Sequence, residues 1–199
     1  MTTKRLENIE ACVFDAYGTL FDVNAAAARC AEDLGDTWQD LANTWRLKQL
    51  QYTWLRSLMQ RHTDLWQVTG DALDYAMETH GVDDAPLRQR LMDLYLTLDA
   101  YEEVAGVLTT LKGSGLKTAI LSNGSPNMLK AAADNAGISA SLDAIISVEA
   151  IKIFKPHPSV YQMAIDTLGV QADRISFQSS NAWDASAAAT FGFRVVWIN

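Results

Sequence analysis

The sequence predicts an α/β protein in which a mostly parallel sheet carries helices on both faces, with a helical cap inserted after the first strand. Short apolar runs recur along the chain and end in polar turn residues, which is typical of strands buried on both faces. Helix-length patterns separate the later runs, and this alternation favours right-handed crossovers between parallel strands. Residues 23 to about 98 contain only helical patterns, and we interpret them as the cap.

The elements follow from these patterns in chain order. The first strand, residues 11–14, ends at the turn-like sequence that begins with Asp15. The later strands are predicted over residues 117–121, 144–147, 174–178 and 194–198. Helices are predicted over residues 127–136, 158–168 and 183–191, and Gly137 and Gly169 stand where C-terminal caps belong. The core is therefore predicted to comprise residues 1–22 and 99–199, with residues 23–98 as the cap.

One predicted cap helix has apolar residues on two sides. One stripe comprises Trp38, Leu41, Trp45, Tyr52, Leu55 and Met59, and the other comprises Leu47, Leu50, Trp54 and Leu58. A helix that is apolar on two sides needs two packing partners. The core can supply one of them, and the other is either a second subunit or a further layer of a monomeric cap.

Composition excludes several classes of protein. With 199 residues, 49% of them hydrophobic and 20% charged, the chain is neither disordered nor collagen-like. The net charge of −8 and the absence of a basic run argue against nucleic-acid binding. No window reaches the roughly 20 apolar residues of a membrane span.

We expect a cytoplasmic protein. The apolar stretch near the N-terminus is interrupted by Asp15 and lacks the length and the cleavage flank of a signal peptide. Cys12 and Cys30 have neither CxxC nor metal-ligand spacing, so a disulfide framework is not indicated. Cys12 is expected to be a small core residue of the first strand.

Polar side chains gather where the predicted strands end. In a parallel sheet, ligands bind beyond the carboxyl ends of the strands. Any one of these residues could simply make a turn or a helix cap, but their concentration at strand ends favours a functional site. They are Asp15, Thr19, Ser122, Asn123, Ser179, Asn181 and Asp184, with Lys155 after the third strand.

Four ordered motifs together resemble the haloacid dehalogenase superfamily, and specifically its L-2-haloacid dehalogenase branch. The resemblance covers nearly the whole chain, cap included, and implies a Rossmann-like core. Members of this branch usually continue for a short segment beyond the fifth strand. The motifs are Asp15-Ala-Tyr-Gly-Thr19, Leu121-Ser-Asn-Gly124, Phe154-Lys-Pro156 and Ser179-Ser-Asn-Ala-Trp-Asp184.

The resemblance implies a covalent mechanism. Asp15 would attack C2 of an L-2-haloalkanoate and expel halide, and water would then hydrolyse the ester to the D-2-hydroxy acid. Lys155 would keep Asp15 ionised, and Asp184 would activate the water. The resemblance also implies supporting roles: Thr19 would hydrogen-bond Asp15, Ser179 and Asn181 would position the water and Asp15, and Tyr161 would support the Lys155 side.

Substrate contacts are likewise implied by the resemblance. Ser122, with backbone N–H groups that include those of Tyr17 and Asn123, would bind the carboxylate. Arg46, Asn123 and Trp183 would receive the halide. Leu50, Leu65 and Trp183 would form the wall around the alkyl group. Family precedent, together with the two-sided cap helix, predicts a homodimer.

No metal or other cofactor is expected. Phosphatase-like members of the superfamily carry an acid two residues after the nucleophile, where this chain has Tyr17, and acids after the fourth strand, where it has Ser179 and Ser180. The site thus offers few carboxylates to a hard cation, and Lys155 competes for them. Two alternatives stay open: a magnesium-dependent phosphatase of the same superfamily, and a binding module or catalytically silent relative.

The three histidines are not expected to be catalytic. His62 and His80 stand near the ends of predicted cap helices, where helix termination explains them. His157 lies between two prolines in a predicted exposed turn. Phosphate-cradling glycine motifs such as GxGxxG are also absent from the sequence.

Overall fold

The computed structural model describes residues 6–198, and its centre is one all-parallel sheet. The strands are β1 (Ala11–Phe14), β2 (Lys117–Ser122), β3 (Ala144–Ser147), β4 (Ile175–Ser179) and β5 (Arg194–Trp197). Their order in the sheet is β3-β2-β1-β4-β5. The predicted fold class is confirmed, and every predicted strand boundary lies within one residue of the observed one.

β1 lies at the centre of the sheet, where the strand order reverses. The chain adds β2 and β3 on one side of β1, then crosses back to add β4 and β5 on the other. Phe14 at the end of β1 is level with Ile120 of β2 and with Gln178 of β4. The residues that follow these three strands therefore meet at one edge of the sheet, at the position where parallel α/β sheets bind ligands.

The helices divide into two groups. Between β1 and β2, the chain first forms the helices of the predicted cap, which are α1 (Ala25–Ala28), α2 (Ala31–Leu34), α3 (Trp38–Met59), α4 (Leu65–Thr79) and α5 (Ala85–Tyr95). The helices that connect to or between later strands are α6 (Val104–Gly113), α7 (Pro126–Asn135), α8 (Pro158–Leu168) and α9 (Ala182–Phe191). Within residues 6–198, no helix is long and apolar enough to cross a membrane.

Helix ends match the sequence signals closely. Asp64, Asp84 and Ser125 cap α4, α5 and α7 by accepting backbone N–H hydrogen bonds from the first turn. Gly169 is the left-handed C-cap of α8, as predicted. The prediction for α7 was off by one residue: the cap position belongs to Ala136, and Gly137 follows it with φ +66°.

The long cap helix α3 packs mainly against α4, and its buried line is not the one predicted. Leu41 and Trp45 are buried, but four residues further the line continues through Gln49 and Thr53. Leu55 and Met59, assigned to the same apolar stripe, are 50% and 59% exposed. The prediction of a continuous apolar stripe is thus wrong in the second half of α3. Gln49 and Thr53 occupy the buried line there, where both line a cavity at the carboxyl ends of the strands and Gln49 has buried hydrogen-bond partners.

Both cysteines are buried free thiols. Cys12 lies within β1, as predicted, and its burial raises the pKa of the thiol. A raised pKa keeps the thiol protonated, which makes Cys12 a core residue without nucleophilic character.

Candidate active site

Strand ends and the turns after them supply the site. Asp15 follows β1 directly, Ser122 is the last residue of β2, and Ser179 is the last residue of β4. Gly18 allows the turn after Asp15 because its φ of +88° lies in the left-handed region. This turn brings Thr19 back to the Asp15 carboxylate.

Lys155 forms the charged centre of the site. Its Nζ donates to Asp15 Oδ1 at 3.1 Å and to Asp184 Oδ2 at 2.7 Å. Burial alone would lower the pKa of Lys155, but the negative charges of the two aspartates and their hydrogen bonds together outweigh it and raise the pKa. The ammonium therefore stays charged and holds both carboxylates next to each other.

The second oxygen of Asp15 is held from the opposite side. Asn181 Nδ2 donates to Asp15 Oδ2 at 2.7 Å, and Thr19 Oγ1 donates to the same oxygen at 3.4 Å. Thr19 Oγ1 itself accepts from the Ser180 backbone N–H at 3.0 Å. These contacts fix the plane of the carboxylate relative to the cavity, as a nucleophile requires.

Asp184 is fully buried at the first turn of α9. Its Oδ1 accepts from the Tyr161 hydroxyl at 2.7 Å. Burial raises the pKa of Asp184, against the lowering effect of the Lys155 charge. Burial and the negative charge of Asp184 also raise the pKa of Tyr161, so that the phenol stays protonated and donates. The resemblance placed Tyr161 on the Lys155 side, whereas its hydroxyl reaches Lys155 only through Asp184.

Ser179 is connected to Asp15 through Asn181. Its Oγ accepts from the Asn181 backbone N–H at 3.1 Å and so shapes the turn that leads into α9. Its position supports the expected role of orienting Asn181, which in turn contacts Asp15. A direct contact between Ser179 Oγ and the Asp15 carboxylate is not among the hydrogen bonds of residues 6–198.

A small cavity of about 20 Å³ lies against Asp15. All the residues that we expected to contact substrate line it, namely Tyr17, Arg46, Leu50, Leu65, Ser122, Asn123 and Trp183. Two further lining residues, Gln49 and Thr53, were not predicted. Their four-residue spacing from Trp45 was the available signal, but polar residues on a helix are usually solvent-exposed.

Three residues that line the cavity carry side-chain N–H groups, namely Arg46, Asn123 and Trp183. Arg46 Nη2 donates to the Tyr17 carbonyl oxygen at 2.9 Å, and Arg46 Nη1 donates to Gln49 Oε1 at 2.8 Å. Asn123 Oδ1 accepts from the Lys155 backbone N–H at 2.9 Å. Trp183 Nε1 is buried and has no acceptor within the described part of the chain. A buried donor without an acceptor is costly unless a ligand supplies one.

The donor set does not suit a divalent cation. Within residues 6–198, no three His, Cys, Asp or Glu side chains lie close enough together to share a metal ion. The Lys155 ammonium stands between the two carboxylates, where it supplies the positive charge that a cation would bring. We therefore derive no reaction step through a metal.

The histidines lie away from this cavity. His62 pairs with Glu149 at 3.1 Å, His80 with Thr44 at 2.8 Å, and His157 with Ser159 at 2.7 Å. None of the three is among the residues that line the cavity in the described structure.

Comparison with known proteins gives one consistent result. The family model for haloacid dehalogenase-like hydrolases matches residues 9–192. (S)-2-haloacid dehalogenase 1 of Pseudomonas sp. (strain CBS-3) is 48% identical over 195 residues, which are 98% of this chain and 86% of that protein. A dehalogenase crystal structure superposes with a TM-score of 0.96 at 44% identity, covering 98% of this chain and 87% of that one. L-2-haloacid dehalogenase from Xanthobacter autotrophicus, with chloropropionic acid covalently bound, gives a TM-score of 0.89 at 43% identity, covering 96% of this chain and 77% of that one.

Proposed function

Because the chain belongs to the haloacid dehalogenase-like hydrolases, we propose that it hydrolyses L-2-haloalkanoic acids to D-2-hydroxy acids through an ester on Asp15. One observation carries this proposal: a carboxylate next to a buried lysine faces a small cavity whose residues do not suit a metal ion. Lys155 Nζ lies 3.1 Å from Asp15 Oδ1 and pairs its positive charge with the carboxylate, which can attack carbon.

The first half-reaction forms the ester. An Asp15 carboxylate oxygen bonds to C2 of the substrate, the carbon–halogen bond breaks, and the halogen leaves as halide with the bonding electron pair. Attack from the side opposite the halogen inverts C2. Arg46, Asn123 and Trp183 are the donors proposed for the halide, and Ser122 with nearby backbone N–H groups is proposed for the carboxylate.

The second half-reaction restores the enzyme. Asp184 takes a proton from water, and the water oxygen attacks the carboxyl carbon of Asp15. The bond between that carbon and the Asp15 oxygen attached to C2 breaks, and this oxygen takes the proton back from Asp184 to become the hydroxyl group of the product. The product therefore keeps an oxygen from the protein, and both carboxylates return to their starting state. Burial raises the pKa of Asp184, which makes it a better proton acceptor than an exposed carboxylate.

Single turnover in ¹⁸O-labelled water tests the covalent route. With enzyme in excess over L-2-chloropropionate, we expect largely unlabelled D-lactate and label in Asp15. Asp15→Asn should lose nearly all activity, since an amide is a far poorer nucleophile, whereas Asp184→Asn should accumulate the ester. Fully labelled product with unlabelled Asp15 contradicts the covalent route.

Chelation separates the two candidate activities. Halide release from L-2-chloropropionate should be unchanged by EDTA. Phosphate release from phosphate esters that EDTA abolishes would instead identify a magnesium-dependent phosphatase. A protein that releases neither product would be a binding module.

We propose further that the cap, residues 23–98, closes over a core made of residues 1–22 and 99–199. Arg46 and Leu50 of the cap and Asp15 and Ser122 of the core line the same cavity, which supports this division. The free thiols of Cys12 and Cys30 suit a reducing, cytoplasmic location.

A homodimer is also proposed. On α3, Leu47, Leu55, Leu58 and Met59 are all at least half exposed, and Leu58 is 81% exposed. A cluster of large apolar side chains on one helix is typical of a surface that a partner covers.

A further inference from the structure

A chain of buried hydrogen bonds runs from Arg46 into the interior of the cap. Arg46 Nη1 donates to Gln49 Oε1 at 2.8 Å, and Gln49 Nε2 donates to Thr69 Oγ1 at 2.7 Å. Thr69 Oγ1 donates in turn to the Leu65 carbonyl oxygen at 2.6 Å. Gln49 is 1% exposed and Thr69 is fully buried, so water does not compete for these groups.

The donor and acceptor roles in this series of hydrogen bonds follow from the chemistry of its side chains. The single hydroxyl hydrogen of Thr69 is used on the Leu65 carbonyl, so Thr69 Oγ1 is left as an acceptor for the Gln49 amide N–H. The Gln49 amide nitrogen must therefore face Thr69. Its oxygen must face Arg46, the orientation that a guanidinium requires because it only donates.

Neighbouring aromatic rings hold Gln49 in place. The Tyr95 hydroxyl lies 3.1 Å from Gln49 Nε2 and 3.2 Å from Gln49 Oε1, and burial raises the pKa of Tyr95 and keeps it protonated. The Tyr95 ring packs against those of Tyr17 and Trp45, with centroids 5.6 and 5.2 Å apart. Gln49 is thus enclosed and has hydrogen-bond partners at both ends of its amide.

We propose that Gln49 and Thr69 are positioning residues that aim the Arg46 guanidinium at the leaving halide. The proposal rests on the dehalogenase function proposed above. Gln49 Oε1 accepts from Nη1, the Tyr17 carbonyl oxygen accepts from Nη2, and Asn181 Oδ1 lies 3.5 Å from Nη2, so the guanidinium is held at three points. The remaining N–H groups are thereby held in one direction, and preorganised donors stabilise developing charge most effectively.

Thr69→Val tests the proposal without changing the cavity, since Thr69 does not line it. Valine has nearly the shape of threonine but offers Gln49 no acceptor, so the amide loses its fixed orientation. We expect kcat/KM for L-2-chloropropionate to fall by about tenfold or more. The loss should be smaller for L-2-bromopropionate, because bromide is the better leaving group and needs less help from Arg46.

Two variants complete the comparison. Thr69→Ser keeps the hydroxyl and should retain most of the kcat/KM for L-2-chloropropionate that Thr69→Val loses. Thr79→Val is the matched control: Thr79 lies on the same helix and also donates to the carbonyl oxygen four residues earlier, but it is exposed and far from Arg46. It should leave kcat/KM for both substrates unchanged.

Halide binding gives a measurement that does not depend on turnover. Tryptophan fluorescence, titrated with bromide, should show weaker saturable binding in Thr69→Val than in the wild type and in Thr69→Ser. Equal losses for the chloro and bromo substrates, unchanged halide affinity, or no rescue by serine would overturn the positioning role. Absence of halide release by the wild type would instead overturn the proposed function, and the titration would still decide the positioning role.

Discussion

At the scale of single residues, the site depends on three buried charges sharing one hydrogen-bond network. Lys155 lies between Asp15 and Asp184 and carries one positive charge against their two negative ones. The two carboxylates lie in different surroundings, because Asp15 lines the cavity while Asp184 is fully buried. Two carboxylates in unlike surroundings can take different roles, which supports the proposed roles of Asp15 as nucleophile and Asp184 as base.

Tyr161→Phe should move the acid limb of the pH–rate profile to higher pH. Asp184 must be ionised to accept a proton, and the hydrogen bond from Tyr161 lowers its pKa. Removing the hydroxyl raises that pKa, so a higher pH is needed to ionise the base. The measurement is kcat against pH under conditions where ester hydrolysis limits the rate.

Tyr75→Phe is the control for that experiment. Tyr75 is 40% exposed on α4, so its substitution should not change the acid limb of the pH–rate profile. If the acid limb of the pH–rate profile is unchanged or moves to lower pH in Tyr161→Phe, the ionisation of Asp184 does not determine that limb.

At the scale of elements, Gly124 shows how tightly the turn after β2 fits the site. A Cβ at this position would lie 2.8 Å from Leu129 Cδ2 and 2.9 Å from Tyr17 Cε2. Gly124→Ala should therefore lower the free energy of unfolding by about 1–3 kcal/mol, as overpacking usually does. Because Tyr17 lines the cavity, activity should fall as well. Urea unfolding and steady-state kinetics measure the two effects.

The control for Gly124 is Gly106, which lies in α6, where an added Cβ would meet nothing within 4 Å. Gly106→Ala should be neutral or slightly stabilising, because alanine favours the helix. Equal destabilisation by the two substitutions would mean that steric contact at the turn is not the cause.

Strand ends were predictable because apolar runs stop abruptly at polar turns, as at Asp15 and Ser179. The polar side of α3 was not predictable in this way. Gln49 and Thr53 interrupt the apolar stripe, and they are buried by contacts that include α4, Tyr95 of α5 and the cavity. Helical periodicity detects a face that packs on apolar residues, and it misses one that packs on a hydrogen-bond network.

The same limit applies to residues far apart in the chain. The resemblance to the family implied Arg46, but no local pattern relates it to Thr69 or Tyr95, which connect to it through Gln49. Such relations arise when α3, α4 and α5 pack together. They are properties of the assembled cap and are absent from any single element.

At the scale of the whole molecule, the exposed apolar surface of α3 predicts self-association. Light scattering should give a dimer mass for the wild type and a monomer mass for Leu58→Glu, since a carboxylate cannot be buried unpaired in an apolar interface. Val107→Glu, at a 44% exposed position on α6, should remain dimeric. A wild-type monomer mass that does not change with concentration would contradict the homodimer.

The central place of β1 in the sheet also shapes how the chain is made. β1 leaves the ribosome first of the strands, yet one of its two neighbours, β4, is among the last elements to be translated. At about 10 residues per second, roughly 16 seconds separate the synthesis of Phe14 from that of its partner Gln178. Throughout that interval the apolar segment Ala11–Phe14 lacks half of its pairing, and Asp15 lacks both Lys155 and Asp184 for most of it. We therefore expect nascent chains to stay inactive until the residues up to Asp184 have emerged.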